Sequence, residues 1–471
     1  MQTLHLYQDQ IKRIKTKLLS AKTVDTNLKV FGANRHKYYL SETISFEEVI
    51  SFERKYSVQL PECYKSFVLQ VGNGGKSYAD SGAGPFYGIY PFGKNVDELL
   101  YEDAARCLGK DCILYPKMTD EYWKSLTGKV ENVNLSDKRY EDDLGTVFSG
   151  LLPIASQGCT YLSAIVLNGE HKGRIVNLDI DMQKPSFAFE SNFLDWYERW
   201  LDEVISRELI KDTPTWFGYL MGGAEEELLN LYIESETDDV KNDSLKGLLD
   251  KSLLRKETLD QVEKLIIANS KGKGHLIQIL CKSNYSKAKP YLLELISSDM
   301  LTVFQSIFWY AKDKSDEWII NITENIRRIE DYETFRFCCY ILERSTYDYG
   351  YLLVPFTKND NENIRIQAYY ALGKLKNKKE YLPTFIEGLS DNSSCVVHST
   401  LQALSDLKDE RLLKHYQDVA QRFPTEQNYV LVNLGHRLAE YGLTRSTILN
   451  KRFDEGTYNE PVKKRWYEIW K

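Results

Sequence analysis

Gly150-Leu-Leu-Pro-Ile-Ala155, Tyr161-Leu-Ser-Ala-Ile-Val-Leu167 and Arg174-Ile-Val-Asn-Leu178 follow one another closely along the chain. Their β-branched and aromatic content reads as strands. Asn168-Gly169 between the last two is a hairpin-turn signal, so this part of the sheet is antiparallel. Pro85-Phe-Tyr-Gly-Ile-Tyr90 reads as a further strand. Helical segments lie on both sides. Ser45-Phe-Glu-Glu48 is a capping box. Leu60-Pro61-Glu62 opens a second helix, with Tyr64, Phe67, Val68 and Val71 on its apolar stripe. Gly72-Asn73-Gly74-Gly75 stops it. Ser191 to Leu201 closes the region with Phe193, Trp196, Tyr197 and Trp200 on one face. Helix, helix, strands, helix is the order of an α+β domain with a mainly antiparallel sheet and flanking helices.

Working outward, residues 4–19 space Leu4, Tyr7, Ile11, Ile14 and Leu18 as a short amphipathic helix that docks on the domain following it. After about residue 205 the strand signals vanish. Segment 225–243 holds eight acids and one lysine, the composition of a solvated helix face and linker. Beyond it a degenerate repeat emerges: residues 360–375 match 392–407 at a shift of 32, and weaker copies begin at Asp331 and Asp299. Two helices per unit at a period near 30 residues mean an α-solenoid, which buries its apolar faces only by stacking. The tail Trp466-Tyr-Glu-Ile-Trp470 is a candidate closing segment. The expected organisation is therefore a helix within 1–30, an α+β domain over 31–205, an acidic helical linker over 206–250 and an all-α solenoid over 251–471.

Composition narrows the function. The chain has 471 residues, 61 Lys plus Arg against 68 Asp plus Glu, and a net charge of −7. A general nucleic-acid binder usually carries a basic domain, so direct nucleic-acid binding is not expected. The eight cysteines form no C-x-x-C pair and read as reduced thiols in a cytoplasmic protein. The N-terminus lacks the apolar core of a signal peptide, and no stretch is long and apolar enough to span a membrane.

Chemistry-bearing patterns are weak. Gly74-Gly75-Lys76-Ser77 resembles the end of a phosphate loop, but Gln70 stands where the first glycine belongs and a helix precedes it, so it reads as a turn. Asp179 and Asp181 read as a solvated turn pair rather than a cation site. The seven histidines are scattered. Cys159 has no histidine partner in its pattern and reads as a small buried residue. Arg35-His-Lys-Tyr38 and Lys463-Lys-Arg-Trp466 are too short to make a basic stripe. No catalytic, metal or cofactor-binding residues are expected.

Residues 31–203 resemble the SUKH superfamily, which includes fungal cell-wall-synthesis regulators and bacterial toxin-immunity proteins. The resemblance is a collinear run: Phe31-Gly-Ala33, Ile44-Ser-Phe-Glu-Glu-Val-Ile50, Leu60-Pro61, Asn73-Gly74-Gly75, Gly84-Pro-Phe-Tyr-Gly-Ile-Tyr90, Leu152-Pro-Ile154, Gln157-Gly-Cys159, Gly173-Arg-Ile-Val176 and Phe193 to Leu201. Lys76–Ala83 departs from it as an inserted loop. Residues 260–471 resemble HEAT-like repeats, most clearly at Asp360, Ile364-Arg365, Ala368 and Ala371-Leu372-Gly373.

The SUKH resemblance implies binding rather than catalysis. A cytosolic immunity protein that neutralises a cognate polymorphic toxin, such as a nuclease or deaminase, is the first expectation. An adaptor or regulator joining two proteins is the alternative. Tight neutralisers combine aromatic anchors with a complementary charge pattern. Tyr87, Tyr90, Trp123 and Tyr161 are the candidate anchors. Glu225, Glu226, Asp238 and Asp239 are the candidate acids, and residues 94–150 add a local net of −4. The partner's identity and the oligomeric state are not written in the sequence.

Overall fold

The computed structural model of the chain describes residues 6–99, 104–128, 130, 136–210, 217–268, 271–423 and 428–453. It divides into two compact units, Met1–Thr258 and Leu259–Lys471. The expected closing segment Trp466–Trp470 lies outside the described residues.

In the first unit, strands β1 (Leu151–Gly158), β2 (Tyr161–Val166), β3 (Ile175–Asp179) and β4 (Ser186–Phe187) form one antiparallel sheet in sequential order. Helices α1 (Gln8–Val24), α2 (Phe46–Tyr56), α3 (Glu62–Gln70), α4 (Asp120–Thr127) and α5 (Phe193–Ile205) flank it. The capping box at α2 is formed: Glu48 N–H donates to Ser45 Oγ at 3.2 Å, and Ser45 N–H donates to Glu48 Oε2 at 2.8 Å. Asn192 caps α5 through bonds to the Leu194 and Asp195 amides at 2.9 and 3.2 Å.

The core gathers on α5. Phe193, Trp196, Tyr197, Trp200 and Leu201 are buried together with Phe67 and Tyr64 of α3. Phe67 meets Phe193 and Tyr197 edge-on at 5.0 and 4.7 Å between ring centres. Rings of this size dominate a core, and truncating one to Ala costs about 4 kcal/mol. Helix α1 packs against α5. Arg13 and Lys17 hold Glu198 at 2.8 and 2.9 Å, and Gln10 adds a bond at 3.1 Å. Burial raises the Glu198 carboxyl, but these three donors outweigh it and bring it down to about 2. His36, sealed against Tyr38 and Trp200, is pushed down to about 4 by burial.

The expected strand over 85–90 does not form. Only Ile89 bridges, to Gly82 on one side and Ala155 on the other. Pro85 offers no N–H, and Phe86 and Gly88 lie at φ 55° and 97°, outside the strand region. The segment instead covers the open edge of β1. Tyr90 N–H donates to Ile154 O at 2.8 Å and Tyr87 N–H to Ser156 O at 3.2 Å. Pro153 is accommodated because β1 is the edge strand and the pairing with β2 is irregular there. Strand β4, two residues long, has no periodicity from which to be read.

After α5 come α6 (Glu225–Glu234) and α7 (Asp238–Asp250), packed on each other within the first unit. The described part of the second unit is helical throughout. Helices α8 (Lys273–Ser283), α10 (Met300–Tyr310), α11 (Tyr332–Leu342), α12 (Glu362–Gly373), α14 (Ser394–Ala403) and α16 (Asn428–Ala439) each contact the next in one row. Helices α9 (Tyr285–Leu295), α13 (Leu382–Leu389) and α15 (Leu412–Arg422) pack beside them. Stacking in chain order is consistent with a solenoid. Arg365 spans neighbouring turns, pairing with Asp391 at 3.0 Å.

The first unit yields two stability predictions. A Cβ on Gly88 would sit 2.0 Å from Gly82 O, whereas one on Gly169, also at positive φ, meets nothing closer than 3.4 Å. Urea unfolding should show Gly88→Ala losing about 3 kcal/mol and Gly169→Ala about 1 kcal/mol; equal losses would refute the close approach. Acid stability should fall in two windows. Because His36 is held neutral, stability drops as pH falls from 6.5 to about 4. Because Glu198 is held ionised, a further loss runs from 4.5 to about 2. His36→Gln should flatten the first window and Glu198→Gln the second in urea midpoints measured against pH.

Candidate partner-binding site

The β1–β2 hairpin turns through Gly158 and Cys159, both at positive φ (99° and 50°). Gly158 pairs with Tyr161 across the turn. The covering segment brings Tyr87 over this tip so closely that a Cβ on Gly158 would lie 2.8 Å from its ring. Tyr87 is fixed on its other side by Phe31, edge-on at 5.2 Å, and by Tyr78 at 6.3 Å. Ser77 Oγ donates to Tyr87 O at 3.4 Å.

These residues frame an open cavity of about 410 Å³ lined by Arg35, Tyr78, Tyr87, Ser156, Gly158 and Cys159. Tyr78 is 66% exposed at its rim. Tyr39, also exposed, has Lys76 over its ring at 5.0 Å. Tyr78 and Lys76 both come from the inserted loop Lys76–Ala83. The site is thus a cluster of tyrosines with two exposed cations, Arg35 and Lys76. Tyrosine and arginine give large contact area with a polar end, the make-up of protein-binding hot spots.

The floor is rigid. Gln157 Nε2 donates to Ser163 Oγ at 2.9 Å and Asn177 Oδ1 at 2.8 Å, joining β1, β2 and β3. Tyr219 O–H donates to Gln157 Oε1 at 3.0 Å, and burial pushes that phenol up to about 12. Asn177 Nδ2 finds no acceptor among the described residues, but the bonds that are made join three strands and favour one geometry.

The candidate residues read from the sequence fall into three groups. Tyr87 lies over Gly158 at the hairpin tip and Tyr161 pairs with Gly158 across the turn; both are half-buried, and Tyr161 is not part of the cavity lining. Tyr90 and Trp123 are core side chains, 2% and 5% exposed. Tyr90 O–H donates to Glu98 at 3.3 Å and Trp123 Nε1 to Met182 O at 2.8 Å, so neither presents a ring to a partner. The acids lie on α6 and α7. Glu225 accepts from Thr258 Oγ1 at 2.7 Å and Arg255 N–H at 3.0 Å. Glu226 pairs with Arg255 at 2.9 Å, and Asp239 with Lys117 at 3.1 Å. Asp238 is exposed at the start of α7. Such surface pairs contribute little to stability, but they offset the charge that a basic partner would meet.

Arg35, Tyr78, Ser156 and Cys159 were not among the expected contacts. Tyr78 carried a signal, its place in the insertion, and Arg35 another, its place in a short basic and aromatic cluster. Cys159 is a correction: it is exposed, because the turn places it outside the strand pairing. Asp179 is another in part, being buried while Asp181 is exposed; the Asp181 amide donates to Asp179 Oδ1 at 3.0 Å. The Gly74–Ser77 stretch spends its amides in a turn: Gly75 N–H donates to Asp80 O at 2.6 Å and Ser77 N–H to Ser81 O at 3.0 Å. Among the described residues no three His, Cys, Asp or Glu side chains are grouped to hold a metal ion. Nor is any helix there long and apolar enough to cross a membrane.

All eight cysteines are unpaired, and only Cys159 and Cys395 are exposed. A thiol reagent applied to the folded protein should therefore label these two first, and peptide mapping would identify them. Early labelling of Cys63 or Cys338 instead would contradict this packing.

Searches of curated proteins and of solved structures returned no match. Within the longer stretch that carries the resemblance, residues 43–199, which hold α2, α3, the sheet and most of α5, match the model of the SMI1/KNR4 family (SUKH-1), and the chain therefore contains a SUKH-1 domain.

Proposed function

We propose that the chain is a non-catalytic, cytosolic immunity protein that binds a cognate polymorphic toxin, of nuclease or deaminase type, and neutralises it. The observation that carries this reading is the preformed tyrosine cluster at the β1–β2 tip of the SUKH-1 domain. Tyr78, Tyr87 and Tyr161 would be the anchors and Arg35 the charged contact. A rigid floor under them lowers the ordering cost of binding. Glu226, Asp238 and Asp239 belong to a segment whose eight acids outnumber its one lysine and the Lys117 and Arg255 that pair with it; this surplus would add long-range attraction for a basic toxin, as a rate effect that falls with salt. The alternative, an adaptor joining two proteins, draws support from a second exposed aromatic face on the helical unit.

Co-expression with toxin domains encoded beside the gene tests the proposal. The wild-type chain should rescue growth from one of them. Tyr78→Ala with Tyr87→Ala, or Arg35→Glu, should lose rescue and weaken binding about 30-fold, the equivalent of about 2 kcal/mol. Thermal melting should stay close to wild type for Arg35→Glu. Rescue by none of the pairs, or undiminished rescue by these variants, would overturn it.

A further inference from the structure

The second unit carries an exposed face that the toxin-binding reading does not use. Between α10 and α11 aromatic side chains touch from helix to helix, and Tyr370 of α12 lies next along the row. Trp309 is 53% exposed and lies 6.1 Å from Phe337. Phe308 contacts Phe337 at 5.4 Å and Tyr340 at 5.1 Å. Tyr370 of α12, 41% exposed, follows Tyr340. Cations lie over these rings: Arg336 over Phe337 at 5.5 Å, Arg344 over Phe308 at 4.8 Å and Lys374 over Tyr370 at 4.6 Å.

The strip ends in a cavity of about 330 Å³ whose lining includes Tyr370, Lys374, Gln402, Asn433 and Arg437. Arg437 pairs through one nitrogen with Glu440 at 3.1 Å. Among the described residues its buried Nε and Nη1 find no acceptor, and neither does Arg336 Nε further along the strip. Buried guanidinium donors without acceptors cost free energy, which an incoming carboxylate would recover. Burial holds the Glu343 carboxyl, which faces Lys374 and Arg344, above its usual range.

We propose that this face docks an acidic, apolar-flanked peptide segment of a partner protein. A carboxylate sits between Lys374 and Arg437, and neighbouring apolar side chains lie on Trp309, Phe308 and Tyr340. Stacked rings with cations also suit single-stranded nucleic acid. Residues 259–471, however, carry 30 Lys plus Arg against 28 Asp plus Glu, without the basic surplus that phosphate binding calls for. The carboxylate reading is therefore the one the charges favour.

Selection of short random peptides displayed against the full chain tests the inference. Recovered peptides should be enriched in Asp or Glu next to Leu, Phe or Trp. In fluorescence anisotropy, Lys374→Glu and Trp309→Ala, both at exposed positions, should each weaken them by about tenfold. Arg437→Gln should do the same, with circular dichroism confirming that it folds. Arg35→Glu should leave peptide binding unchanged, so failure here is separable from failure of the toxin-binding proposal. No acidic enrichment, binding indifferent to Lys374→Glu, or tighter binding of a thymidine oligonucleotide would overturn it.

Discussion

The open edge of β1 is the constraint on which the first unit turns. An edge strand exposes a row of unpaired amides and carbonyls and would add another strand from any neighbour. Here residues 82–90 take that place without becoming a strand, through the Tyr90–Ile154 and Tyr87–Ser156 hydrogen bonds. Phe86 and Gly88, bent into positive φ, turn the segment so that Tyr87 projects over the hairpin tip. One device thus protects an edge and builds the tyrosine surface to which recognition is assigned in our proposal. The inserted loop extends the same segment and supplies Tyr78 and Lys76. Specificity residing on a loop over a fixed sheet is how one scaffold serves many partners.

That surface can be rigid because its support is buried and fully packed. Tyr197 O–H of α5 donates to Ala83 O at 2.8 Å, tying the start of the covering segment to the aromatic core. Helix α5 is in turn pinned by α1 through Glu198, an ion pair sheltered enough to matter. Chain segments far apart in sequence therefore converge on one helix, and the tyrosine cluster inherits their stability.

Much of the architecture was legible beforehand. The strands at 151–158, 161–166 and 175–179 announce themselves through β-branched runs and a turn signal. Helix α5 is readable because four aromatic residues recur at helical spacing. The helical second unit is readable from its period, though the HEAT-like character of the repeats remains a resemblance. The misreadings share one physical origin. Pro85-Phe-Tyr-Gly-Ile-Tyr90 has strand composition, but its conformation is set by a tertiary contact with β1 that no local pattern records. Tyr90 and Trp123 could not be told from exposed anchors, because an aromatic ring packs equally well inside or at an interface. Cys159 is exposed by the handedness of one turn. The acids at 225–243 are legible as charge, while their pairing with Lys117 and Arg255 depends on the fold.

Native-state hydrogen exchange at the Tyr87, Ile89 and Tyr90 amides tests the central claim most directly. If the segment over β1 is a preformed part of the sheet's edge, these amides exchange as slowly as those of β2 and β3 in the isolated protein. Exchange at rates typical of exposed loops would mean that the tyrosine surface does not exist before a partner arrives, and the account would fail.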